Sequence, residues 1–258
     1  MNTASKWDSL ADDWQRSFLR GESDYTVSLL KYLKDEGLLR PGCRVLDIGC
    51  GVGKYGVYFA RLGCDVTLTD ISAKMLQHAA ENMAGFSSPW RTWQCSFDDV
   101  TGDEPVFSPP FDLSISTMSP AIHNLETVRK MSAVTGGFCF VSRYTQWEQE
   151  NRDEYLAMLG LEDRDTGERA SEQSCSELID SVSALGYTPR MKYVDYNWCD
   201  MRTPEELTDI VLRRFGGTAN SPDRNTALKT AESLCNEDGL FEDAVKTKVL
   251  WLSWSTKN

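Results

Sequence analysis

The sequence predicts an α/β protein whose mostly parallel sheet is covered by helices on both faces. Short apolar or β-branched runs recur at 43–48 (CRVLDI), 65–70 (DVTLTD), 91–96 (RTWQCS), 111–116 (FDLSIS) and 138–143 (FCFVSR). Helix-compatible stretches lie between them, around 55–62 and from Ser72 through Met83. Strands that alternate with helices in this way build a parallel sheet wrapped on two sides. With 258 residues, 41% of them apolar, the chain can bury a substantial core.

Taken in order, the first 40 residues read as an N-terminal helical cap. The stretch KWDSLADDWQRSFLRGESDYTVSLLKYL carries Trp7, Trp14 and Tyr25 at helical spacing, either as a packed amphipathic face or as a lid. Residues 41–145 hold the regular strand and helix alternation. Beyond 145 the pattern loosens into helical stretches near 146–159 and 172–185, a strand-like RMKYVDYNW and a final strand-like VKTKVLWLSWS. Between these two strands, Thr203-Pro204-Glu205-Glu206 supplies an N-cap, a proline at the first helical position and a glutamate at the third. A helical insertion is therefore expected over about 203–240, broken by the turn-rich GGTANSPDRN. All of 1–258 is read as one domain, with 146–258 as its C-terminal part.

Composition removes several function classes. A net charge of −12 opposes a polyanionic partner, so nucleic acid is not expected. No stretch approaches the roughly 18 apolar residues of a membrane span, and acids stand where a signal peptide needs bases; a cytoplasmic protein is expected. The eight cysteines are scattered singly, with Cys43, Cys50 and Cys139 inside apolar runs, which reads as reduced and buried thiols. With no CxxC and two histidines, no metal site is expected.

Residues 45–56, VLDIGCGVGKYG, carry the chemistry. A phosphate-binding P-loop fails here, because Lys54 is followed by Tyr55 and Ile48 stands where the first glycine belongs. The dinucleotide pattern GxGxxG matches at Gly51, Gly53 and Gly56, yet the loop's first glycine is Gly49, directly after the strand. Asp47 separates the readings: a carboxylate two residues before that glycine repels a pyrophosphate and attracts a cation. A ligand with an ammonium group, and a carboxylate placed near the helix N-terminus after Gly53, suits the loop better than a phosphate. Asp70, ending the second strand, could accept two hydrogen bonds from a ribose diol, or simply begin a helix beside the N-cap candidate Ser72.

VLDIGCGVG resembles motif I of the class I S-adenosylmethionine-dependent methyltransferases, an acid, any residue, then Gly-x-Gly-x-Gly. Asp47, Gly49, Gly51 and Gly53 match it position by position. The resemblance implies a Rossmann-like fold: a seven-stranded, mostly parallel sheet with helices on both faces and the final strand antiparallel. It also implies S-adenosylmethionine as cofactor, with Asp47, Gly49, Cys50, Gly51 and Gly53 around its amino-acid end, Asp70 and Ile71 at the ribose and adenine, and Ser116 on the fourth strand. The third motif departs from the family, since Ser96 stands where an Asp is common; Phe97 and Asp98 together are the expected adenine contacts. After the fourth strand, TMSPAIH faces the methyl group, or else Ser119 caps and Pro120 begins a helix with Ala121, Leu125 and Val128 on one face. His123, Tyr25 and Arg143 are the candidate catalytic residues, each with a structural reading beside the functional one. Methyl transfer to a small-molecule acceptor by in-line displacement is expected. The alternatives are a non-catalytic S-adenosylmethionine-binding regulator, a methyltransferase acting on protein or RNA, and a nicotinamide-dependent oxidoreductase using the GxGxxG match.

Overall fold

In the computed structural model the described residues are 4–19, 24–162, 171–216 and 221–257. Two compact units make up the chain: Met1–Arg143 with Gln173–Lys192 and Leu250–Asn258, and Tyr144–Glu172 with Tyr193–Val249.

The first unit begins with helices α1 (Ala4–Leu19) and α2 (Asp24–Asp35). It continues as β1 (Arg44–Ile48), α3 (Lys54–Arg61), β2 (Asp65–Asp70), α4 (Ala73–Met83) and β3 (Trp90–Gln94). Then follow β4 (Phe111–Thr117), α5 (Leu125–Ala133) and β5 (Thr135–Glu148), whose last residues enter the second unit. Helix α7 (Glu172–Ala184), β6 (Arg190–Asp195) and β8 (Phe241–Ser255) also contribute. The strands lie in the order β3-β2-β1-β4-β5-β8-β6. β1 pairs in parallel with β2 and β4, β2 with β3, and β4 with β5. The chain thus winds outward in both directions from β1 and β4, which makes a crevice at their carboxyl ends.

Strand alternation explains the core. Leu46 and Ile48 project into a buried cluster with Val128, Met131, Val141, Leu178 and Leu252, which brings in α5 and α7. On β1's other register, Val45 and Asp47 are also fully buried. Helix α3 sits close on β2, since a Cβ at Gly56 would stand 2.7 Å from the Leu68 side chain.

The segment after β4 departs from expectation. Helix α5 does not start at Pro120: Asn124 is its N-cap, accepting from Thr127 N at 2.9 Å, and the Thr127 hydroxyl accepts in return from Asn124 N. Leu125 is exposed, whereas Ile122 is buried, so the apolar face expected from Ala121, Leu125 and Val128 does not form. The local cap outcompetes the proline start because it satisfies backbone donors from both sides.

In the second unit, helix α6 (Glu150–Met158) follows β5. The stretch expected as one strand over 190–198 is interrupted. Tyr196 N donates to Thr247 O at 3.0 Å and Thr247 N donates to the Asn197 side chain at 2.9 Å. A new strand, β7 (Trp198–Arg202), then pairs antiparallel with β8. The sheet therefore has eight strands, one more than expected. Thr203 and Glu206 form the expected capping box at the start of α8 (Pro204–Phe215), and α9 (Arg224–Ser233) follows before β8. Part of the turn-rich 216–225 lies outside the described residues, as do 20–23 of the N-terminal stretch. Tyr155, Leu156, Leu207, Val211 and Phe241 form this unit's core.

Candidate functional site

The glycine loop leaves β1 and turns back into α3 with Gly49, Gly51 and Gly53 all at positive φ (67°, 55° and 76°). Gly49 has a second reason to lack a side chain: an added Cβ would lie 1.9 Å from Ser119 Oγ. The loop after β4 therefore packs directly on the loop after β1. Met118 supports that approach in the left-handed conformation, at φ 50°, which is uncommon for a residue with a side chain.

Two carboxyl groups stand at this end of the sheet. Asp47 is fully buried, and neither of its oxygens has a hydrogen-bond partner among the described residues. Burial, and then the nearby Asp70, push its carboxyl up to about 8. Asp70 is 9% exposed; one oxygen accepts from Gly51 N and the other from Ser72 N, both at 2.9 Å. Burial raises it too, opposed by those backbone donors. Cys50 between them is buried, and its thiol is pushed up by burial, Asp47 and Asp70.

Helix α1 lies against α4 and the glycine loop. Ser72 caps α4 through Met75 N and donates its hydroxyl to Asp8 at 2.5 Å, while Lys74 N donates to the same Asp8 oxygen. Asp12 takes Lys74 Nζ at 2.6 Å and His78 Nε2 at 3.0 Å. Gln15 and Asn82 exchange amide hydrogen bonds at 2.9 Å, and Asn82 also donates to Val52 O within the glycine loop. Ala11 is buried against Val52 and Met75.

The remaining expected residues are placed unequally. Ile71 is half-buried beside Asp70, and its carbonyl accepts from Gln94. Asp98 is exposed, 3.6 Å from His123 Nε2. Phe97 instead turns inward and is buried in the cluster of Leu46 and Val100, which removes the stacking face expected of it. Ser116 is fully buried and donates to Ile48 O at 3.0 Å, a tie between β4 and β1. Among the catalytic candidates, His123 lies just before the α5 cap with its side chain partly exposed. Tyr25 is buried, its hydroxyl accepting from Trp251 Nε1 at 2.9 Å, in a T-shaped contact with that ring. Arg143 donates to Ile122 O and so braces the loop after β4; burial lowers its guanidinium to about 10. Met118 and Ser119 belong to the TMSPAIH segment expected here, whereas Asp8 and Gln15 join this end of the sheet without having been singled out for it in the sequence.

Comparison with known proteins agrees with this geometry. Residues 45–135 match the family model described as a methyltransferase domain. These residues are thus similar to a methyltransferase domain, and the parallel sheet with its helices has the Rossmann-like fold. It is similar to the malonyl-[acyl-carrier protein] O-methyltransferase of Erwinia pyrifoliae, 53% identical over 47 residues, which are 17% of this chain and 18% of that protein. Matches to the curated relatives thus span less than a fifth of their length. Among solved structures, the YcgJ protein of Bacillus subtilis superposes with a TM-score of 0.56 at 18% identity, over 92% of this chain and 100% of that one. A methyltransferase from Geobacter sulfurreducens in complex with S-adenosyl-L-homocysteine gives 0.50 at 15% identity, over 89% and 90%. No helix among the described residues is long and apolar enough to cross a membrane.

Proposed function

We propose that the chain is an S-adenosylmethionine-dependent methyltransferase acting on a small-molecule acceptor. The observation that carries this reading is Asp47, a fully buried carboxyl at the mouth of a glycine loop whose two oxygens have no hydrogen-bond partner among the described residues. A buried polar group without a partner costs about 1–3 kcal/mol, and a ligand ammonium would recover it. The orphaned oxygens, and a loop whose three glycines carry no side chain to obstruct a ligand, fit the amino-acid end of the cofactor.

The cofactor supplies, when bound, a methyl group already activated on a sulfonium. Asp47 would accept from the ammonium, and Asp70, with spare lone pairs beside Gly51 N and Ser72 N, would accept from the ribose hydroxyls. Ile71 and Asp98 border the adenine. Ser119 and Met118, in the loop that Arg143 braces at Ile122 O, would border the acceptor beside the bound methyl donor. Helix α1 shields the loop from water. None of the catalytic candidates is placed as a clear proton acceptor, which suits a nucleophile that needs little deprotonation. The charge of −12 favours a small acceptor over RNA.

Incubating the purified chain with methyl-labelled S-adenosylmethionine and a metabolite extract tests this. Label in a low-molecular-weight product, lost in a folded Asp70→Ala variant, supports the reading. Label confined to protein or RNA overturns the small acceptor, and no transfer at all overturns the enzyme.

A further inference from the structure

Two cysteines outside the crevice sit opposite each other at the other end of the sheet. The β1–β2 register runs back from Arg44↔Asp65, so Cys43 faces Cys64 one residue earlier, and Asp65 N donates to Cys43 O at 3.1 Å. Their sulfurs are 3.6 Å apart. Neighbouring strands lie about 4.8 Å apart, inside the roughly 4.4–6.8 Å between Cα atoms that a disulfide spans. The two side chains share one face of the sheet, so closing the bond brings together sulfurs that are already neighbours. The turn before β1 also lies on the pair: Arg40 O accepts from Cys43 N at 3.3 Å and stands 3.6 Å from Cys64 Sγ.

We infer that Cys43 and Cys64 are a reversible oxidation site, closing a disulfide that rings β1, the glycine loop and α3 when the protein meets a peroxide. Cys43 is the sulfur that reacts first. It is 7% exposed where Cys64 is fully buried, and the Cys64 thiol donates to it, which holds its own thiol below the ordinary range. The Cys43 thiolate attacks a peroxide oxygen; an S–O bond forms, the O–O bond breaks, and one water leaves after protonation. Cys64 sulfur then attacks Cys43 sulfur, the S–S bond forms, the S–O bond breaks, and a second water leaves with the Cys64 proton. Two thiols are oxidised and one peroxide is reduced to two waters. The ring constrains the unfolded chain, so the oxidised protein is the more heat-stable form.

Peroxide treatment of the purified full-length protein, then alkylation and proteolysis without reductant, tests this directly. The expected result is a peptide joining Cys43 to Cys64, with both protected from alkylation while the exposed Cys199 is not. The melting temperature should rise by several degrees and return on adding a thiol reductant. A Cys64→Ala variant should show neither effect; if it does not fold, Cys43→Ser serves, and the wild-type peptide map decides alone. Both thiols still open to alkylation, Cys43 joined to another cysteine, or Cys43 driven to the sulfinic acid beside a free Cys64 would each overturn the inference.

Discussion

Each unit of the molecule buries an aspartate, and the two are treated in opposite ways. In the second unit Asp243 is 2% exposed and accepts from Gln149 at 2.8 Å, from Arg202 Nε at 2.6 Å and from Arg152. In the first unit Asp47 is fully buried and has no hydrogen-bond partner among the described residues. A carboxylate surrounded by donors is a structural pin, tying β5, α6, β7 and β8 together within its unit. A carboxyl left bare is a site, because folding gains nothing from the omission unless something outside the chain completes it.

The contrast is broken most forcefully at Asp243. Its replacement by alanine removes the carboxylate shared by the half-buried Arg152 and Arg202, of which Arg202 keeps Asp200, and should cost about 3 kcal/mol in urea unfolding. Asp47→Asn should behave oppositely, leaving the fold at least as stable near neutral pH. The sign follows from the carboxyl's rise from 3.8 to about 8. The folded state holds its proton more tightly than the unfolded chain, so this contribution is fully present below about pH 4 and lost as pH rises through 8. The difference in stability between wild type and Asp47→Asn should therefore shift in favour of the variant from pH 5 to pH 9; a flat difference would show that Asp47 is not buried as described. Smaller effects lie in the loop. Gly49→Ala forces a side chain into left-handed backbone, at about 1–2 kcal/mol, and into Ser119; pairing it with Ser119→Gly should recover the steric part only. Ser72→Ala removes the α4 cap and the partner of Asp8, at about 1 kcal/mol in thermal unfolding.

How legible each region was follows the range of the forces involved. The loop at Gly49–Gly53, the Ser72 cap and the Thr203–Glu206 box are set by residues within a few positions of each other, and the sequence displays them. Phe97 misled because an aromatic after a strand looks the same whether it turns inward or outward, and only the packing around Leu46 and Val100 decides. The left-handed Met118 has no signature, since methionine does not favour that conformation. The α1–α4 contact was discoverable: Lys74, His78 and Asn82 recur every four residues along α4 and meet Asp8, Asp12 and Gln15 along α1. Read separately, each row is an ordinary polar face. Likewise the start of α5 moved to Asn124 because its reciprocal bonds with Thr127 outweighed a proline whose only contribution was a preset φ.

Calorimetric titration of S-adenosylhomocysteine at pH 7, in two buffers of different ionisation enthalpy, tests the central claim most directly. If Asp47 receives the ligand's ammonium, its proton must leave, so the apparent enthalpies should differ by close to one proton's worth of buffer ionisation. Asp47→Asn should abolish that difference and weaken binding by about tenfold or more. Tight binding with no proton release, unchanged in the variant, would mean that the bare carboxyl of β1 has no part in holding the ligand.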